Sequence, residues 1–223
     1  YFKRVIGADV SPNQIANAEK VNECSNVTFE VSPAEKLNVP DGSVQLITAM
    51  AAAHWFDLPK FYEEGRRILC PGGVMAIYCY HFGKLNWPRN PSKNEALQKV
   101  YDECIFQGEL GELLVPCVKL HVLSYFRTIT IPYDDLVRDE SAYTIERQIT
   151  LDDLLGFVQT SSVFQTYKET KGEDAAVAFI SGLQKKLVEI MKDDLTAEEE
   201  SNPDQITMIE TSPMILIMAR IPA

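Results

Sequence analysis

The stretch RVIGADVSPNQ (residues 4–14) decides how the rest of the chain is read. Val5, Ile6 and Ala8 make an apolar run of the kind a buried strand needs, and the run ends on an acid, Asp9. Ser11 and Pro12 follow at once as an N-cap and a first helical residue, and Gln14 completes a capping box. A helix is therefore predicted to open there and to run to about Asn22. An acid at the tip of a strand, just before a helix, is where dinucleotide-type folds hold a ribose. Such an acid ordinarily stands about 20 residues beyond a glycine-rich loop. Here only eight residues precede Asp9.

Outward from this stretch, strands alternate with helices. VTFEV (27–31), SVQLITAM (43–50) and VMAIYCYHF (74–82) read as strands, and the Pro40-Asp41-Gly42 turn introduces the second of them. Between the last two, a helix from Pro59 to Leu69 is predicted to bury Phe61, Gly65, Ile68 and Leu69, with CPGG (70–73) stopping it. Apolar strands alternating with helices indicate an α/β fold with a parallel sheet covered on both faces. From Gly83 the pattern changes. Ser92 and Glu95 are predicted to cap a helix running through about Phe106. RTITIPYDDL (127–136) and AYTIERQIT (142–150) read as extended pieces, and 150–160 as a short helix. Ala176, Phe179, Ile180, Leu183, Leu187, Ile190 and Met191 recur at helical spacing. ITMIETSPMILIMARI (206–221) reads as two strands about a Thr211-Ser212-Pro213 turn. The expected division is an α/β core at 1–82 and 205–223 with a mostly helical cap at 83–204.

The composition excludes several classes. The 223 residues are 46% hydrophobic and 24% charged, as in an ordinary globular chain. A net charge of −11, with no basic cluster to offset it, argues against nucleic acid as a partner. The late acids in KDDLTAEEESNPD (192–204) read as a solvated loop. The five cysteines show no CxxC pair and no zinc-type spacing, and are expected as free thiols in the cytoplasm. Apolar runs such as MILIMA (214–219) are too short to cross a bilayer, so no membrane partner is expected either.

GADVSPNQIANA (7–18), VSPAEKLNVPDGSVQLITAMAAAHWFD (31–57) and RRILCPGGVMAIYCY (66–80) together resemble the class I S-adenosylmethionine-dependent methyltransferases, in the small-molecule branch similar to trans-aconitate methyltransferases. The resemblance covers about the first 80 residues and implies a Rossmann-like sheet, here without the family's first strand and GxGxG loop, and S-adenosylmethionine as cofactor with no metal. It assigns Asp9, with Val10 after it, to the cofactor's ribose; a carboxylate offers two acceptor oxygens to two hydroxyls. The alternative for Asp9 is an acid that only stabilises the helix N-terminus. Ala34 and Glu35 match the segment that meets the adenine, although Pro33 stands where many members carry Asp or Asn, and Glu35 is expected to be exposed. Ala49 and Met50 fall where the methionine part of the cofactor lies; AMAAA also suits a close-packed helix start. Gln45 replaces a frequent acid of the third strand here and is read as structural.

Trp55 is assigned to the sulfonium, which an indole face stabilises by about 0.5–2 kcal/mol, and His54 to the substrate or the cofactor's carboxylate. The alternative is that Trp55 and Phe56 anchor their loop in the core. His81, at the carboxyl edge of its strand, is the second catalytic candidate, with a structural role as the alternative. Arg66 and Arg67 read as structural. Arg89, Lys119 and Arg127 are cap cations that could meet an anionic substrate, and His121 reads as core or surface.

The resemblance implies a methyltransferase acting on a small molecule by direct displacement, as a monomer or homodimer. With only His54 and His81 as candidate bases, the acceptor is expected to be a carboxylate or thiolate, which is ionised without one. The family's first strand would sit between 4–9 and 43–50, so the chain is expected to be a fragment unless those two strands close up directly. A non-catalytic relative that binds a partner through its cap is the alternative. An NAD-dependent oxidoreductase shares the ribose acid but fits AHWFD and RILCPGG badly.

Overall fold

The computed structural model describes residues 2–80, 82–140 and 143–222. In chain order the first elements are β1 (Val5–Asp9), α1 (Pro12–Val21), β2 (Val27–Val31), β3 (Val44–Met50), α2 (Leu58–Ile68) and β4 (Leu69–Tyr80). Next come β5 (Lys84–Asn86), α3 (Asn94–Asp102), α4 (Glu109–Leu113), β6 (Asp134–Asp139) and β7 (Thr144–Thr150). The chain ends with α5 (Leu151–Thr160), α6 (Ser162–Lys171), α7 (Glu173–Met191), α8 (Ala197–Ser201) and β8 (Thr207–Arg220). Two compact units emerge. The first holds the residues up to Cys79, Ile129–Asp139 and the end from Leu216; the second holds Tyr80–Thr128 and Glu140–Ile215.

In the first unit β1 pairs with β2 in parallel, from Val5 opposite Val27 to Asp9 opposite Val31. β3 pairs with β4 in parallel, with Ile47 opposite Met75 and Met50 opposite Tyr78. The end of β8 and β6 extend that second sheet, Arg138 lying antiparallel to Ile217. β1 and β3 do not pair: β1 belongs to a two-stranded sheet and β3 ends the larger one. The two strands have therefore not closed up on each other. Val5 of β1 and Leu46 and Met50 of β3 are also among the exposed large apolar residues.

Local chemistry sets the helices of this unit. Ser11 Oγ accepts from Gln14 N, and Pro12 takes the first turn of α1. Asp57 caps α2 and accepts from Lys60 N. Phe61 and Ile68 of α2 are buried, and Gly65 lets the helix come close, since a Cβ there would lie 2.4 Å from Met75 Cε and 2.5 Å from Tyr133 Oη. Gly42, at φ +60°, makes the turn before β3, and its N–H donates to Arg67 O. The Arg67 guanidinium binds Glu64, Asp41 and the carbonyls of Leu37 and Val39, so it is structural as expected. Its charge beside Glu64 holds that carboxyl below the ordinary range.

Three details differ from the sequence reading. CPGG does not end before a strand; it lies inside β4, where the register jumps from Val44–Leu69 to Leu46–Val74 and the extra residues bulge. The last segment is one strand, β8, without a turn at 211–213. Pro213 lacks a donor, but it stands opposite Thr144 at the end of the β7 pairing, and Met214 N resumes by donating to Tyr143 O. Ser92 caps nothing: its hydroxyl donates to Asn90 Oδ1, residues 91–93 form a 3-10 turn, and α3 starts at Asn94.

In the second unit β5 and β7 flank the first half of β8, both antiparallel, so that Leu85 and Arg147 each lie opposite Glu210. Trp87, Leu97, Tyr101, Leu151, Leu187 and Met208 are among the side chains of one apolar core with α3, α5, α6 and α7 around it. A reciprocal capping box of Thr150 and Asp153 starts α5, and Ser161 caps α6, a helix absent from the sequence reading. The acidic run at 192–204 is no plain loop either, since it forms α8, and Glu199 there binds Arg89 through both carboxylate oxygens.

Candidate functional site

The candidate residues of the first unit gather at the carboxyl ends of its parallel strands, where open α/β sheets bind ligands. Asp9 ends β1 and is exposed. Its Oδ1 accepts from Ser11 N at 2.8 Å, which steadies the start of α1. Val10 beside it is 69% exposed. Asp9 O accepts from Ser32 N at 3.0 Å, and this bond ties the tip of β1 to the segment after β2. That segment closes into a turn, with Lys36 N donating to Pro33 O and Ser32 Oγ donating to Lys36 O. Ala34 is half-buried within it.

Glu35 departs from its expected exposure. It is half-buried, and its Oε1 accepts from Asp57 N at 2.7 Å. The carboxylate thus links the segment after β2 to the one that carries His54 and Trp55. Two hydrogen bonds therefore join three strand tips, from Asp9 through residues 32–35 to Asp57.

The third segment places its adjacent aromatics differently. Ala53–Trp55 is a 3-10 turn in which Ala53 is fully buried, His54 is half-buried and Trp55 is 53% exposed. Phe56 makes the anchor instead, edge-on to Phe61 at 4.9 Å. Trp55 is not a core residue. The His54 ring lies 5.0 Å from the indole, tilted by 43°. Strand alternation separates the neighbouring candidates: Ala49 is packed inside and Met50 points out at the end of β3. Ala51 takes a left-handed backbone at φ +49°, held by its N–H on Tyr78 O. A non-glycine residue in that region at a strand tip is a form of strain that clusters at ligand sites.

Gln45 is exposed and donates to Ser43 O. His81 lies outside the described residues. Arg66 bonds to Pro132 O and covers the Tyr133 ring at 4.7 Å. Two of the three cap cations are engaged with acids, Arg89 with Glu199 and Arg127 with Glu140. His121 shares a hydrogen bond with Thr128 Oγ1, and burial pushes its pKa down. Sequence reading missed the buried polar side chains of the second unit, Glu210, which pairs with the exposed Arg147, and Tyr101 and Ser212. An acid and a serine inside an otherwise apolar terminal run were the available signal. Among the described residues no cluster of His, Cys, Asp or Glu is placed to hold a metal ion.

Residues 1–77 match the family described as methyltransferase domain. A protein described as a methyltransferase in Dictyostelium discoideum is 30% identical over 174 residues, which is 78% of this chain and 62% of that relative's length. A Saccharomyces cerevisiae protein described as an S-adenosylmethionine-dependent methyltransferase is 33% identical over 85 residues, 36% of this chain and 29% of the relative. The solved structure of an Anaeromyxobacter dehalogenans protein described as a type II methyltransferase superposes with a TM-score of 0.72 at 26% identity, covering 100% of this chain and 83% of that one. The chain thus spans less than two thirds of either curated relative. Its strand order, the acid at the tip of β1 and the matched segment agree: residues 1–77 are similar to a methyltransferase domain.

Proposed function

We propose that this chain is the larger part of an enzyme that transfers a methyl group from S-adenosylmethionine to a small molecule. The observation that carries the reading is the hydrogen-bonded line from Asp9 O through Ser32 to Glu35 and on to Asp57 N. It holds an exposed carboxylate, a half-buried turn and an exposed indole at the carboxyl ends of parallel strands. These groups fit the cofactor. Asp9 would accept from the ribose hydroxyls, the turn at Ala34 and Glu35 would meet the adenine edge, and Met50 and Trp55 would border the sulfonium. Ala49, packed inside, would contribute by its backbone alone.

The cofactor brings a methyl group that is already activated. The work left to the chain is alignment and exclusion of water, and good placement alone is worth about 7–11 kcal/mol. His54, beside Trp55, would orient the acceptor. We read that acceptor as a carboxylate, which is ionised at pH 7 and needs no base. The reading also puts the protein in the cytoplasm as a monomer or homodimer. No helix among the described residues is long and apolar enough to cross a membrane.

The open edges of β1 and β3 bear on activity. A strand seated between them would join the two sheets and pair the backbone groups that both edges now leave open. We expect residues 1–223 alone to bind the cofactor poorly. Calorimetric titration with S-adenosylhomocysteine tests this, on 1–223 and on a version extended by the residues encoded upstream. Binding by the extended version alone is the expected result. Binding by 1–223 itself would overturn the need for the extra strand. Binding by neither would overturn the enzyme reading in favour of a non-catalytic, partner-binding relative.

A further inference from the structure

Where β5 and β7 flank β8, the face of the sheet turned away from the core carries a groove. Register places Asn86, Ile209 and Gln148 in one row across the three strands, and Lys84, Thr211 and Glu146 in the next. Residues directly opposite share a face, so both rows lie on the side away from the buried Met208, Glu210 and Ser212. Over Ile209 and Thr211 opens a cleft of about 350 Å³, walled by Glu146 and by the loop that follows β5. A second cleft of about 210 Å³ continues it past Ile209 and Pro88 towards Gln148 and Thr207. All of these residues belong to the second unit.

The lining is rich in acceptors and poor in donors. Trp87 N donates to Asn94 Oδ1 at 2.7 Å, and Asn94 Nδ2 donates to Asn86 Oδ1. Asn86 Nδ2 is taken up in turn by Thr211 Oγ1 at 2.9 Å and by the carbonyls of Lys84 and Ile209. These backbone partners fix which way both amides point. Thr211 Oγ1 donates its own proton to Lys84 O, and the Trp87 indole N–H goes to Asp194. Pro88 and Pro91 in the wall have no N–H at all. Arg89, the cation of the second cleft, is bound through both terminal nitrogens to Glu199. What remains towards the cleft is lone pairs on Asn86, Asn94 and Thr211, and the Glu146 carboxylate. Glu146 is exposed and has no ion-pair partner among the described residues. Lys84, the cation of its row, stands two strands away, roughly 10 Å by strand spacing.

A cleft lined by acceptors, with one free carboxylate and Ile209 as its floor, complements a ligand that brings donors, positive charge and an apolar body. An alkylammonium has all three, with three N–H donors on one nitrogen. A carboxylate ligand would meet Glu146 as a like charge. We infer that this groove binds the ammonium group of a small primary amine, held by Glu146 and Thr211, with the apolar part of the ligand along Ile209 and Pro88. The site uses no residue of the first unit, so it does not depend on the methyl transfer proposed above.

Methyl-detected NMR on the whole chain tests the site with phenethylamine at pH 7, where the amine is charged. The neutral 2-phenylethanol and the anionic phenylacetate are the comparators. Titration with the amine should move the methyl signals of Ile209 and Thr211, and both comparators should bind more weakly, the alcohol by about 3–10-fold. Glu146→Gln should weaken the amine by a similar factor, about 3–10-fold, and leave the alcohol unchanged. Glu169→Gln removes the same charge from an exposed residue outside the groove and should leave the affinity for the amine as it is. Methyl signals that stay in place, a comparator that binds as tightly as the amine, or equal affinity in the wild type and Glu146→Gln would overturn the site. An equal loss in Glu169→Gln would overturn it too, by tracing the attraction to net charge.

Discussion

Glu35→Ala offers the sharpest check on how the candidate site is held together. Glu35 Oε1 accepts from Asp57 N at 2.7 Å across 22 residues of sequence, and Asp57 is both the cap of α2 and the second residue after Trp55. A hydrogen bond to a charged group contributes about 1.5–3 kcal/mol, and one open to solvent falls at or below the bottom of that range, about 1–1.5 kcal/mol. Hydrogen exchange at the Asp57 amide should therefore accelerate by about 5–10-fold in Glu35→Ala, because each 1.4 kcal/mol is a factor of about ten. A loss of that size lowers the Tm of a chain of this length by about 2–6 °C. Glu35→Gln keeps a carbonyl acceptor in the same place and should recover part of the protection. Exchange at Asp57 in Glu35→Ala indistinguishable from the wild type would refute the claim that this carboxylate pins the Trp55 segment.

Other substitutions probe the packing and the charges. Gly65→Ala should gain up to about 1 kcal/mol of helix propensity yet lose about 1–3 kcal/mol net. Its Cβ would come within 2.4 Å of Met75 Cε and 2.5 Å of Tyr133 Oη, so urea unfolding should shift to lower concentration and an unchanged midpoint would contradict the close approach. Trp55→Ala should leave stability within about 0.5 kcal/mol, because the ring is 53% exposed; a large loss in thermal melts would restore the core-anchor reading. Arg89, with help from Thr196, holds the Glu199 carboxyl down at about 2 from an ordinary 4.5. A folded value below the unfolded one gives stability that is present above pH 4.5 and lost as the pH falls towards 2. Urea midpoints should thus drop between pH 5 and pH 3, and drop less in Glu199→Gln; equal drops would remove the pair from the acid response.

The order β1–α1–β2–β3–α2–β4 was legible because its signals are local. Ser11 and Pro12 open a helix wherever the chain places them, and the apolar run before Asp9 makes a strand whose tip carries the acid. The segments that carry the resemblance are contiguous for the same reason, and it was that resemblance which singled out Asp9, Ala34 and Trp55. Local signals also misled. Pro213 looks like a turn in isolation, but β8 runs on through it opposite Thr144, and Ser92 has a helix-capping sequence but spends its hydroxyl on Asn90. Tertiary structure alone decided the rest. Whether β1 and β3 meet is a question of strand pairing, and they lie in separate sheets. Which of two adjacent aromatics goes inside depends on how the 3-10 turn at 53–55 is aimed, and it sends Phe56 to Phe61 and Trp55 to solvent. Glu35 meets Asp57, and Glu210 meets Arg147 across 63 residues, only because loops close and strands take a particular register. Propensity acts between neighbours in the chain. The partners of a buried charge are chosen by neighbours in space.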